Sequence, residues 1–329
     1  MNNRGEQMKL PISRQSAAAG LKGRDLLRIS DLSLDEVECL FEVTGVLKNR
    51  TVGLVDQKQI LPGKVMAMIF EKPSLRTRLS FETGIYELGG YGIYLAPSDI
   101  SLGKRESVAD VARTIDRMCG MIMARVFEHQ KVVGLAEYAS APVINGLSDL
   151  EHPCQALADL YTVLEIKGRL KGLKLAFAGD GNNVAHSLML LCAIVGMNFA
   201  IGCPKGYEPD PDVVKQAQSI AEDSKCSIEV LNDPYAAVAG ADVVYTDVWA
   251  SMGQEAETKE REVIFAPFQV NAELMQKANS DAIFEHCLPA HRGSEVTDEV
   301  VDSGQSVVFD EAENRLHIQK AIMAVLGIA

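Results

Sequence analysis

The sequence predicts an α/β protein of two domains, each a parallel sheet flanked by helices. Three observations predict it. Strand-length apolar runs recur along the chain without alternation, as expected of strands buried on both faces. Between them, apolar residues return at helical spacing, as in Val108, Val111, Ala112 and Ile115, or Leu157, Leu160, Tyr161 and Leu164. Finally, 329 residues, at roughly 100–200 per domain, suggest two domains, each able to bury a core.

The elements follow in order. Residues 1–23 carry Arg4, Lys9, Arg14 and Lys22 among serines and alanines, as transit peptides do, but Glu6 interrupts the pattern. They are read as a flexible extension. Strands are expected at 65–70, 91–96, 121–127 and 142–147, then at 174–178, 199–203, 228–231, 243–248 and 282–287. Alternation of such strands with helices implies parallel sheets. A long helix from His152 to about Lys167, closed by Gly168-Arg-Leu-Lys-Gly172, bridges the two sheets. The domains are therefore set at 24–155 and 156–311. The last helix, beginning near residue 312, has no strand after it.

Composition excludes several classes. Thirty-two basic against 45 acidic residues leave a net charge of −13, unsuited to non-specific binding of nucleic acid or an anionic membrane. No apolar run approaches the roughly 18 residues of a membrane-spanning helix. Seven scattered cysteines and no CxxC pair point to reduced thiols in a reducing compartment and against structural zinc.

In parallel sheets, ligands bind beyond the carboxyl ends of the strands, and the chemically unusual residues fall there. After the first strand, Ser74-Leu-Arg-Thr-Arg78 opens a helix. A serine cap, free backbone N–H groups and two guanidinium forks suit a phosphate; a plain capped helix with solvated arginines is the alternative. Arg125 lies in an apolar strand, so it meets an anion, a structural carboxylate or the strand end. His152 and Gln155 share one face at the start of the bridging helix, which suits either a ligand or a structural histidine. Ala178-Gly-Asp-Gly-Asn-Asn183 imitates a dinucleotide loop, yet the next strand ends without the required acid. Asn182 and Asn183 are better read as amides facing a polar substrate. Asp247 ends a strand, where it can hold an amine or cap a loop. The charged run 255–262 reads as a mobile loop, and the segment 253–266 is expected to close over the substrate. Cys287 in His286-Cys-Leu-Pro289 is either a thiol with a chemical role or a buried side chain.

Five segments in this order resemble the ornithine carbamoyltransferases of the aspartate/ornithine carbamoyltransferase family, from about Lys22 to the C-terminus. They are Ser74-Leu-Arg-Thr-Arg78, His152-Pro-Cys-Gln155, Asp247-Val-Trp-Ala-Ser-Met-Gly253, His286-Cys-Leu-Pro289 and Glu313-Asn-Arg315. The resemblance implies an active site in the cleft between the domains, with carbamoyl phosphate bound by 24–155 and ornithine by 156–311. It also implies that the C-terminal helix, 312–329, packs back on the first domain. By the same resemblance, Ser74, Leu75, Arg76, Thr77 and Arg125 hold the phosphate. His152, Gln155, Cys287, Leu288 and Arg315 contact the carbamoyl group, and Asn183, Asp247, Ser251 and Met252 hold ornithine. Ser101 stands where many members carry a phosphate-contacting glutamine from a neighbouring subunit, and Leu75 where many carry threonine. Arg76, Arg125, His152, Asp247 and Cys287 are the expected catalytic set. No metal or cofactor is implied, and the partners are the two substrates and further copies in a trimer or a multiple of trimers. The implied location is the cytoplasm, or the mitochondrial matrix if residues 1–23 are a transit segment. Sister enzymes acting on aspartate, putrescine or an acylated ornithine, a nicotinamide dehydrogenase and a non-catalytic homologue are the rival readings.

Overall fold

The computed structural model describes residues 13–49, 56–250 and 257–327. Among the described residues, nine strands overlap the nine predicted apolar runs. β1 (Val65–Phe70), β2 (Tyr91–Leu95), β3 (Met121–Arg125) and β4 (Val143–Leu147) form one sheet in the order β2-β1-β3-β4. β5 (Lys174–Ala178), β6 (Asn198–Gly202), β7 (Ile228–Leu231), β8 (Val243–Tyr245) and β9 (Ile283–Glu285) form the other, ordered β7-β6-β5-β8-β9. All paired neighbours are parallel.

Five strands end earlier than the sequence predicts: β2 and β6 by one residue, β3 and β9 by two, and β8 by three. The β3–β4 register shifts between Ala124 and Arg125. β8 stops before Thr246, whose hydroxyl donates to Ala178 O at 2.6 Å. β9 stops before His286, whose backbone N–H goes to the Glu311 carboxylate at 2.9 Å.

The chain forms two compact units. Unit 1 comprises the residues up to Leu27, Asp31–Leu147 and those from Arg315 onward; unit 2 comprises Arg28–Ser30 and Ser148–Asn314. The break at 147/148 precedes the helix Pro153–Lys167 rather than cutting it at 155, because that helix is buried over its first eleven residues and its side chains bond within unit 2. The last helix starts earlier than expected, spanning Val308–Gly327. The described part of the N-terminal extension is folded rather than flexible. Gln15–Leu21 is a helix, Ser13 bonds to Glu42, Leu21 is buried, and Gly23 N donates to Leu326 O at 2.9 Å.

Each unit has its own apolar core. In unit 1, Ala67, Ile69, Ile122, Ala124 and Val143 of the sheet pack with Val111, Ala112, Ile115, Val132 and Leu135 of two helices. In unit 2, Ala176, Ala178, Val244 and Phe284 pack with Val238, Leu274, Val300 and Val308. Both sheets change winding direction once. The switch lies between β1 and β3 in unit 1 and between β5 and β8 in unit 2, and such crevices at strand carboxyl ends are where open α/β sheets bind ligands.

Candidate active site

At the unit 1 switch, β1 leads through Glu71 into the helix Leu75–Glu87. Glu71 N donates to Arg125 O at 2.9 Å, and its carboxylate accepts from Phe127 N and Lys131 Nζ, each at 2.8 Å. These bonds fix the end of β3 beside the helix start. Ser74 is the N-cap, with an extended backbone and its hydroxyl accepting from Thr77 N. The buried Thr77 hydroxyl is a meeting point. Ser74 Oγ lies 3.1 Å away, Arg125 Nη1 donates at 3.5 Å, and Arg315 Nη2 donates at 3.4 Å.

Two guanidiniums on one hydroxyl repel each other, and the positive end of the helix dipole adds to that field. The first turn carries no acid to offset it, whereas the helix Leu34–Lys48 has Asp35 and Glu36 in its first turn. Such an arrangement is stable around an oxyanion, which would accept from the N–H groups, the hydroxyls and the arginine forks together. Arg76 stands in the same first turn and Leu75 is 70% exposed. Two residues do not join this cluster. Arg78 turns to Glu82 at 3.1 Å and stacks over Tyr94 at 4.0 Å. Ser101, in the left-handed region at φ 44°, donates to Pro97 O at 3.2 Å within its own turn.

At the unit 2 switch, β5 runs into Gly179-Asp-Gly-Asn-Asn183. Gly179 has φ 147°, and a Cβ on Gly181 would stand 2.2 Å from Pro209 N. The glycines therefore serve a strained turn and a close backbone approach, not a dinucleotide. Asn182 caps the helix Asn183–Val195 through its oxygen, which accepts from Val184 N and Ala185 N. That leaves its amide N–H to donate to Asp247 Oδ2 at 2.8 Å. Asp247 Oδ1 accepts from Val248 N at 2.8 Å and from Cys287 Sγ at 3.0 Å. Asn183 donates to Ser148 O at 2.6 Å.

His152 is buried at the start of the bridging helix, its N–H donating to Ser187 Oγ, which in turn bonds to Glu151. Gln155 lies one turn on, fully enclosed. After β9, His286 is also buried. Its Nδ1 accepts from Leu288 N at 2.9 Å, so its Nε2 carries the hydrogen that goes to Glu295 at 3.1 Å. This holds Leu288 at φ 53°, an uncommon conformation for leucine.

Asp247, His286 and Cys287 offer donor atoms within 4.8 Å of one another, a grouping that could hold a metal ion. Both nitrogens of His286 are engaged in hydrogen bonds. Burial first, then the adjacent Asp247 carboxylate, raises the Cys287 thiol far above its ordinary range. The sulfur is thus a protonated donor, unlike the thiolate that ligates metals or attacks carbon.

Ser251 and Met252, expected to hold ornithine, lie outside the described residues, as does 253–256 of the expected lid. The rest of that segment is not a loop. Thr258–Phe265 is helical, and Arg261 within it is buried, bonded to Asp180 at 2.9 Å and Trp249 O at 2.8 Å and stacked over Tyr207. Burial pushes the Asp180 carboxyl up to about 6 against the pull of Arg261. Sequence reasoning named Asn182 but left it out of the site, and missed Asp180 and Arg261 altogether. The only signal was the i,i+4 pair Glu257 and Arg261, which bond at 3.0 Å.

Comparison with known proteins places both halves of the chain in one family. The carbamoyl-P binding domain of aspartate/ornithine carbamoyltransferase matches residues 24–165, and the Asp/Orn binding domain matches 171–326. The chain is 57% identical over 307 residues to an ornithine carbamoyltransferase of Thermococcus kodakarensis, covering 93% of this chain and 97% of the other. It is 55% identical to one of Anoxybacillus flavithermus, covering 94% and 99%. Among solved structures, ornithine carbamoyltransferase from Pyrococcus furiosus superposes with a TM-score of 0.90 at 52% identity, covering 93% of this chain and 98% of that one. On this likeness, the chain belongs to the aspartate/ornithine carbamoyltransferase family.

Proposed function

We propose that this protein transfers the carbamoyl group of carbamoyl phosphate to the side-chain amine of L-ornithine, giving L-citrulline and phosphate. The observation that carries the carbamoyl-phosphate half is the convergence of Arg125 and Arg315 on Thr77 at an acid-free helix start. The ornithine half rests on Asp247 and on identities above 50% with proteins bearing that name.

In this reading Ser74, Leu75, Arg76, Thr77 and Arg125 hold the phosphate, the helix start supplying N–H donors that strengthen as the leaving group gains charge. Ser101 contributes nothing to it from within the same subunit. Arg315 and His152 stabilise charge on the carbonyl oxygen, and Gln155, with the Leu288 carbonyl, takes the carbamoyl NH2. Asn183, Asp247, Ser251 and Met252 hold ornithine.

The reaction forms a C–N bond to the amine, breaks the C–O bond to phosphate and releases one proton from nitrogen. An alkyl amine titrates near 10.4, so freeing its lone pair at pH 7 costs about 4–5 kcal/mol. Asp247 positions that amine. Cys287 is not the base, because its thiol keeps its proton; it orients Asp247 instead. The protein works in arginine metabolism, in the cytoplasm, as a trimer or a multiple of trimers. No helix among the described residues is long and apolar enough to cross a membrane.

Citrulline formation tests this, with aspartate, putrescine and N-acetylornithine as parallel acceptors. Turnover confined to ornithine is expected. Turnover with another amine alone would retain the phosphate half and overturn the rest. Silence with every amine, from folded protein, would favour a non-catalytic binder.

A further inference from the structure

The segment that carries Cys287 and Leu288 is held at both ends by one side chain with no role in the chemistry described so far. Glu295 and His286 are both fully enclosed. Glu295 Oε1 accepts from His286 Nε2 at 3.1 Å and from His291 N at 2.6 Å. A single carboxyl oxygen thus closes the stretch 286–291. The acid itself stands on fixed backbone. Val270 N donates to Glu295 O at 2.9 Å, Thr297 N donates to Val270 O at 3.1 Å, and Val296 between them belongs to the unit 2 core.

The ring of His286 passes this restraint on. With Glu295 accepting, the ring hydrogen sits on Nε2 and Nδ1 keeps a lone pair, which accepts from Leu288 N at 2.9 Å. That bond holds Leu288 at φ 53°, a conformation that costs a leucine free energy. Cys287 lies between the two bonded residues, and its thiol donates to Asp247 Oδ1 at 3.0 Å. The contacts therefore run from Glu295, through His286 and the backbone at 287–288, to Asp247. In the other tautomer a ring N–H would face Leu288 N. A leucine at 295 would fill the space without the cost of burying a carboxyl, so packing alone does not account for the acid.

We propose that Glu295 is a positioning residue: by fixing the tautomer of His286 it sets the backbone at 287–288 and aims the Cys287 thiol at Asp247, and so orients the acceptor amine. This deepens, and rests on, the carbamoyl-transfer reading, in which Asp247 positions that amine. Glu295 and His286 are too enclosed to touch substrate themselves.

The test is Glu295→Leu against Glu295→Gln. Leucine removes the acceptor, whereas glutamine keeps an oxygen where both N–H groups end. Glu295→Leu should lower kcat/KM for ornithine roughly ten- to a hundredfold and leave inhibition by inorganic phosphate against carbamoyl phosphate unchanged. Glu295→Gln should recover most of that loss. Alkylation by iodoacetamide, read by mass spectrometry of the peptide that contains Cys287, gives a second measurement. Burial and the adjacent Asp247 keep this thiol protonated. Once it no longer points at Asp247 it ionises more readily, so it should react severalfold faster in the leucine variant and not in the glutamine one. The buried Cys192 and Cys203 are the control and should stay unreacted.

His286→Gln keeps an N–H for Glu295 but offers Leu288 N no ring nitrogen. It should reproduce the leucine pattern, and it stands in if Glu295→Leu does not fold. The two changes together should cost little more than either alone, because they break one chain of contacts. Alkylation does not depend on turnover. Absence of citrulline formation in the wild type would therefore end the functional reading and leave this inference to be decided by the thiol. Either ornithine kinetics or Cys287 alkylation at the wild-type level in folded Glu295→Leu would overturn the proposal. So would a loss shared equally by phosphate inhibition and ornithine, with Cys192 and Cys203 reacting as well, which marks a general loosening.

Discussion

The two switch points of this molecule carry opposite charge on the same kind of scaffold. In unit 1 the crevice is cationic: Arg125 and Arg315 meet at Thr77, and the helix start holds no acid. In unit 2 it is acidic and amide-rich: Asp247 accepts from Asn182, Val248 and Cys287, with Asp159, Glu285 and Glu311 buried behind Gln155. A parallel sheet supplies only the crevice. Which ligand it takes depends on what the chain sets at the strand ends, phosphate in one case and an amine in the other.

The sharpest way to break this comparison is to remove a cation from unit 1. Arg125→Gln should lower kcat/KM by at least 10²–10³, the usual consequence of losing one donor to developing charge, or about 2.7–4 kcal/mol. Its thermal midpoint should stay level or rise, because two guanidiniums no longer crowd one hydroxyl. Steady-state kinetics and a melting curve check both halves. Activity within a factor of a few of the wild type would show that unit 1 does not hold the phosphate through Arg125.

The matching change in unit 2 is Asp247→Asn. The shape is kept, but the carboxylate that attracts the amine is gone. Hydrogen bonds to charged groups contribute about 1.5–3 kcal/mol, so kcat/KM for ornithine should fall roughly ten- to a hundredfold. Inhibition by inorganic phosphate competing with carbamoyl phosphate should be unchanged, since that anion belongs to unit 1. A large shift in phosphate inhibition would show that the two sets of residues are not chemically separate.

How much of this was legible beforehand differs between the same two regions. The strands could be read because parallel strands, buried on both faces, leave uninterrupted apolar runs. Ser74, Thr77 and Arg125 could be read because a hydroxyl cap followed by arginines, or an arginine in an apolar run, departs from what a core needs. In unit 2 the readable residues were those at strand and helix ends, Asp247, His152 and Cys287. Asp159 and Glu311 sit on helices and Glu285 ends a strand, where acids are ordinary in sequence. Only the fold shows that all three are buried. Arg261 looked like part of a solvated charged run for the same reason. Charge alone does not say which side of a helix will face Asp180 and Tyr207.

The smallest expected effect sharpens the comparison through pH. His186, in the first turn of the helix after β5, is buried with both ring nitrogens engaged. Nδ1 bonds to Leu150 O at 2.8 Å, and Nε2 accepts from Asp210 N at 3.0 Å. That pattern requires the neutral ring, and burial lowers its pKa from 6.5 against the opposing pull of the Leu150 bond. The unfolded chain therefore binds the proton first. The stability tied to this group is complete above about pH 6.5 and drains away as pH falls below it, at about 1.4 kcal/mol for each unit by which the folded pKa is depressed. Melting curves from pH 7.5 to 5 should show the wild type losing stability faster than His186→Gln, which has nothing to titrate there. The difference between the two curves is the quantity to read, since carboxyls such as Asp180 titrate in both proteins. Parallel curves would mean that the buried ring accepts its proton as readily folded as unfolded. The loop carrying Leu150, and with it the approach to His152, would then be held by something other than this histidine.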